Sequence, residues 1–186
     1  MNGGRQGSDG GGNIPKTPSH SRWLGKIFYP EMVHQPPADG VKGLEVLCLG
    51  LSRTGTMSVT VALKQLLKGP IYHGIEVFIG EEREMAYWIK AFQGTMTPAD
   101  WIDFLGGYKG GTDVPLIYFY KDILNAFPTC KVIFMERDPD TWFRSWQTTY
   151  RRVAELDSAP IAWLNRLVDS PTRRKVRELL LKFLGQ

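Results

Sequence analysis

The residues whose types and spacing suit chemistry best sit in one stretch, Leu44-Glu-Val-Leu-Cys-Leu-Gly50-Leu-Ser-Arg-Thr-Gly55-Thr-Met-Ser58. Val46 to Leu49 is continuously apolar, as a parallel strand covered on both faces would be. Gly50 and Gly55 bracket a loop, and Val59 to Leu67 follows with helical spacing. Backbone N–H groups in such a loop, with the positive end of the helix after it, form a ready site for a phosphate. The nucleoside-triphosphatase pattern G-x-x-x-x-G-K-[ST] needs Lys at 56 and Ser or Thr at 57, whereas Thr56 and Met57 stand there. Simple ATP or GTP hydrolysis is therefore disfavoured. The plain alternative is an ordinary strand-to-helix turn with a capping Thr.

The loop needs a scaffold. A helix is expected from roughly Met57 to Lys68, ended by Gly69-Pro70, and Ile71-Tyr72-His73 reads as a short extended piece. Another helix is expected from about Glu81 to Phe92, and Thr97 with Pro98 is a favourable helix start. The glycines of Gly106 to Gly111 predict a loop, and Val114 to Phe127 an apolar helix ended at Pro128. Lys131 to Met135 reads as a second buried strand, and Asp140 opens a helix. The tail gives two amphipathic helices broken at Ser170-Pro171. Helices alternating with parallel-type strands predict an α/β fold, a three-layer P-loop-type arrangement with a central parallel sheet flanked by helices. Ligands in such folds sit beyond the carboxyl ends of the strands. Residues 1–40 form a tail and linker, largely disordered by composition, with Trp23, Leu24, Ile27, Phe28 and Tyr29 as a short docking segment. Residues 41–186 form the domain.

The chain has 186 residues and a formal charge of +4, with a pI near 9.1. A few cations around a polyanionic ligand account for this lean as well as a nucleic-acid patch would, and no nucleic-acid partner is expected. Cys48 and Cys130 lie in apolar runs and read as reduced core residues of an intracellular, cytoplasmic protein. No signal peptide and no apolar run approaching ~20 residues is visible, so no membrane span is expected. No His/Cys/Asp cluster has metal-ligand spacing.

The loop Ser52-Arg53-Thr54-Gly55-Thr56 resembles the [PS]-[KR]-[ST]-G-T loop of sulfotransferases that use 3′-phosphoadenosine 5′-phosphosulfate. Arg137, leaving a strand, and Ser145 in the next helix are similar to that family's 3′-phosphate pair. Gly111-Thr-Asp113-Val-Pro115 looks like the segment that carries its catalytic base. The wording of the matches is closest to a P-loop branch common in fungi and lower eukaryotes, and the resemblance covers about residues 44–150. It implies a cofactor cradle of Ser52, Arg53, Thr54, Gly55, Thr56, Met57 and Ser58, with Arg137 and Ser145 on the 3′-phosphate. It implies a base at Asp113, charge neutralisation by Arg53, no metal, and a small-molecule acceptor with a hydroxyl or amine. His73 is a second candidate for the base or the acceptor pocket.

Each residue also has a plainer reading. Arg137 suits a surface ion pair with Asp138 or Asp140, and Asp113 a helix cap. His73 suits a hydrogen-bonded structural role. A free Asp, with a pKa of about 3.9, is a poor base near neutral pH unless its site changes it. Trp88, Trp101, Trp142, Trp146 and Tyr118 are candidate pocket walls, most of them expected in the core. The family's late glycine-rich segment, which closes over the 3′-phosphate, is not recognisable, so the resemblance implies a site closed differently or a shortened chain. A nucleotide kinase and an inactive binding module with the same fold remain alternatives. A homodimer is compatible with the sequence.

Overall fold

The computed structural model describes residues 37–156 and 170–184, apart from 39 and 42. The expected disordered tail through 36 and the helix expected around 161–168 lie outside the described residues. Strand β1 (Val46–Leu49) feeds the loop and helix α1 (Thr56–Leu67), then β2 (Ile71–His73), a short α2 (Glu76–Ile79), α3 (Glu82–Phe92) and α4 (Pro98–Leu105). Strand β3 (Gly110–Thr112), a 3-10 turn (Leu116–Phe119), α5 (Tyr120–Ala126), β4 (Lys131–Phe134), α6 (Pro139–Leu156) and α7 (Pro171–Leu184) complete the order. The sheet runs β2-β3-β1-β4, every pair parallel, so the loop after β1 emerges next to the ends of β3 and β4. The α/β class with a central parallel sheet flanked by helices is borne out.

Local rules explain much of this. Thr97 and Asp100 form a reciprocal capping box at the start of α4, with Pro98 in the first turn, so two otherwise orphaned N–H groups are satisfied. The main core is aromatic: Tyr72, Trp88, Trp101, Phe104 and Tyr108 are buried together. Rings of this size remove ~150–250 Å² each from water. Trp88 Nε1 donates to Tyr72 Oη at 2.8 Å, which satisfies its one buried polar group.

Three expectations need correction. Gly110 and Gly111, read as loop, belong to a strand paired on both sides, with Val46 and Ile71 both in register with Gly110. Glycine has poor strand propensity, and here the two neighbouring ladders override it. The expected helix over 114–127 is instead a cis Val114–Pro115 bond, a 3-10 turn and a seven-residue helix. Strand β4, expected to be buried, is exposed at all four residues: its side chains point to the two faces of the sheet, and among the described residues no helix packs substantially over them.

Candidate active site

The loop after β1 is a tight turn. Thr54 N–H and Thr54 Oγ1 both donate to the Leu51 carbonyl, at 3.1 and 2.7 Å. Arg53 and Gly55 are left-handed, with φ of +75° and +100°. A glycine is needed at 55 because an L side chain is strained there. Gly55 is also the N-cap of α1, so the capping Thr of the plainer reading is absent: no side chain caps the helix, and no acid stands in its first turn. The first N–H groups of α1 have no intrahelical acceptor, and the positive end of the dipole is uncovered. Behind the loop, the buried hydroxyls of Thr60 and Thr112 meet at 2.7 Å and Thr60 Oγ1 donates to Thr56 O. This pins α1 onto β3.

The end of β4 and the start of α6 close on the same loop. Arg137 Nη1 donates to the Arg53 carbonyl at 2.6 Å, and Arg53 Nε donates to Ser145 Oγ at 3.1 Å. Trp142 Nε1 donates to the Ser52 carbonyl at 2.9 Å. The ion pair considered for Arg137 does not form. Asp138 instead accepts from Thr141 N–H and Oγ1 at the start of α6, and those bonds hold its carboxyl below the usual range. Among the described residues neither Arg53 nor Arg137 lies within 4.0 Å of a carboxylate.

On the other side of the loop sits a buried polar group. Asp113, left-handed at φ +73°, accepts at Oδ1 from Ser52 Oγ at 2.8 Å and from its neighbour Val114 N–H at 2.8 Å. Its side chain thus turns to the loop and does not cap a helix. His73 Nε2 lies 3.3 Å from Asp113 Oδ2. Their alignment falls short of a hydrogen bond, and Nε2 has no other partner. His73 Nδ1 accepts from Ile75 N–H at 3.1 Å. Burial lowers the His73 pKa, against the opposing charges of Asp113 and Glu76. Burial, then the charge of Asp113, pushes the Cys48 thiol up to about 11.

The sequence matches the sulfotransferase domain family over residues 45–186. The chain belongs to that family. The match takes in every residue of the site, from β1 through α6. A curated relative, Ava biosynthesis cluster protein M of Aspergillus versicolor, is 39% identical over 113 residues. That alignment covers 57% of this chain and 43% of the relative, so the chain spans under half of that protein's length.

In this sulfotransferase-domain chain, a cavity of about 940 Å³ opens beside the loop, walled by Leu51, Ile117, Tyr120, Phe134, Arg137 and Trp142. Asp113, Ser52 and His73 do not line it. Thr54 and Arg137 line it, while Arg53 and Ser145 do not; the hydrogen bonds join Arg53, Arg137 and Ser145 on the β4 side of the loop and Ser52, Asp113 and His73 on the β3 side. Of the loop's remaining residues, Thr56 is buried, Met57 half-buried and Ser58 exposed. Trp88 and Trp101 are core residues and Tyr118 is exposed, while Trp142 alone of the candidate aromatics walls the cavity. Sequence reasoning missed the Thr60–Thr112 clasp. Two buried threonines within apolar segments were the available signal.

Proposed function

We propose that the chain is a sulfotransferase that takes 3′-phosphoadenosine 5′-phosphosulfate and passes its sulfuryl group to a hydroxyl or amine of a small molecule. The observation that carries this reading is that two guanidiniums, neither paired with a carboxylate among the described residues, meet at the loop that leads into the uncapped N-terminus of α1. That donor set suits a ligand with anions at both ends, and the cavity beside Arg137 offers apolar walls for a nucleoside. A biosynthetic-cluster relative supports a small-molecule acceptor.

In this reading the cofactor supplies an activated sulfuryl group on a phosphate leaving group. The loop N–H groups of Gly55 to Ser58 and the hydroxyls of Thr56 and Ser58 hold the 5′ end, while Thr54, whose N–H and hydroxyl both go to the Leu51 carbonyl, shapes the turn and does not donate to the phosphate. Arg53 opposes the negative charge that grows on the leaving oxygen. Arg137 and Ser145 grip the 3′-phosphate, the guanidinium through charge-assisted bonds. Asp113, across the loop, takes the acceptor's proton at Oδ2. Residues 41–186 act as the catalytic domain.

Calorimetric titration with 3′-phosphoadenosine 5′-phosphate, without magnesium, tests this on the wild type and Arg137→Ala. Binding that weakens by about tenfold or more in the variant, the loss of ~1.5–3 kcal/mol expected for a charged hydrogen bond, supports the reading. A chain that ignores this nucleotide but binds Mg-ATP is a phosphotransferase instead.

A further inference from the structure

We propose that His73 is a positioning residue whose Nε2–H, 3.3 Å from Oδ2, orients the Asp113 carboxylate by electrostatic attraction, and is not itself the base. The kinetic part of this rests on the sulfotransferase reading; the structural part does not.

Three features fix the arrangement. First, β2 and β3 end side by side, with His73 in register with Thr112 and Gly74 N–H donating to the Thr112 carbonyl at 3.1 Å. The two candidate groups thus leave adjacent strands at the same level. Second, residue 74 must be glycine, because a Cβ there would stand 1.7 Å from the Val114 carbonyl oxygen. The backbone after His73 therefore touches the backbone after Asp113. Third, the ring's proton is assigned by its partners. Nδ1 accepts from Ile75 N–H, so in the neutral ring the proton is on Nε2, the atom that faces Asp113 Oδ2.

A base needs a free lone pair, and His73 offers none. Its Nδ1 lone pair is spent on Ile75, and Nε2 carries the proton. Protonating Nδ1 would strand a backbone donor and charge a ring that is 4% exposed. Glu76, buried beside it, and Asp113 favour the charge, while Lys64 opposes it. Asp113 has a lone pair to offer at Oδ2, since Oδ1 takes two hydrogen bonds and, among the described residues, Oδ2 faces only the imidazole. In the reaction, the acceptor's O–H proton would pass to Oδ2 as the new S–O bond forms and the bond from sulfur to the phosphate oxygen breaks, the electron pair leaving with the 3′,5′-bisphosphate, and His73 would keep its own proton throughout.

Nitrogen-15 NMR of the imidazoles in the 186-residue chain reads the tautomer directly, with or without turnover. The expected result is a neutral Nε2–H form of His73 at pH 7, whose signal moves and whose pKa drops in Asp113→Asn. An Nδ1–H form, or a signal indifferent to Asp113→Asn, overturns the proposal. Kinetics supply the second arm. His73→Ala should lower kcat by about 10- to 100-fold, as misplacement of a catalytic group does, with KM little changed. His73→Gln, which keeps an N–H donor, should recover most of it. Equal loss in both variants would make His73 the base and overturn the assignment. A wild type without sulfuryl transfer would refute the function, and the NMR result would still decide His73.

Discussion

At the scale of single residues, the site is organised by which charges go unbalanced. Arg53 and Arg137 bond neutral oxygens, so an anion brought to them meets charge that no carboxylate among the described residues has neutralised. His73 is the opposite case, a titratable ring kept neutral by burial. Its folded pKa lies below the unfolded value of about 6.5, so between the two the unfolded chain binds the extra proton. Its share of stability is therefore complete above about pH 6.5 and is lost as pH falls toward the folded pKa. Urea unfolding at pH 7.5 and pH 5 should show a larger loss in the wild type than in His73→Gln. Equal losses would mean that the ring does not titrate against folding.

At the scale of elements, the loop is tied to α6 by a bond the sequence does not advertise. Trp142 Nε1 donates to the Ser52 carbonyl, which, with the Arg53–Ser145 bond, ties the helix to the loop at a second point. Trp142→Phe keeps most of the ring's packing and removes that bond, at a stability cost of about 1 kcal/mol. It should weaken nucleotide binding as well. Thr97→Ala, at the start of α4, should cost about as much in stability through its lost cap and leave nucleotide binding unchanged. Denaturant melts and calorimetry on both variants separate the two effects. Capping residues announce themselves locally, whereas a donor that reaches 90 residues back along the chain does not.

At the scale of the whole molecule, the sheet ends, among the described residues, on an apolar edge strand. Val132 is 47% exposed and Phe134 69% exposed, on a strand that only β1 pairs among the described residues. Apolar edge strands of this kind template further pairing. The wild-type chain should therefore self-associate as concentration rises. Val132→Lys, away from the cavity, should suppress this with little change in melting temperature. Light scattering across a concentration series checks it, and association that persists in the variant would place the contact elsewhere.

What the sequence determined by itself was whatever short-range pattern encodes: β1 and its loop, the first helix, the Thr97 start, and the family, carried by Ser52 to Thr56 with Arg137. Only the tertiary structure decided that Gly110 to Thr112 is a strand between two others, because its identity lies in its partners' hydrogen bonds and not in its own propensity. The same holds for the exposure of β4, since the burial of its side chains depends on which elements cover the faces of the sheet. It holds above all for His73 and Asp113, forty residues apart in the chain. Read separately, each suited either a base or a structural role. Their parallel strands and the bare backbone at Gly74 bring them to 3.3 Å, and that distance is set by the fold.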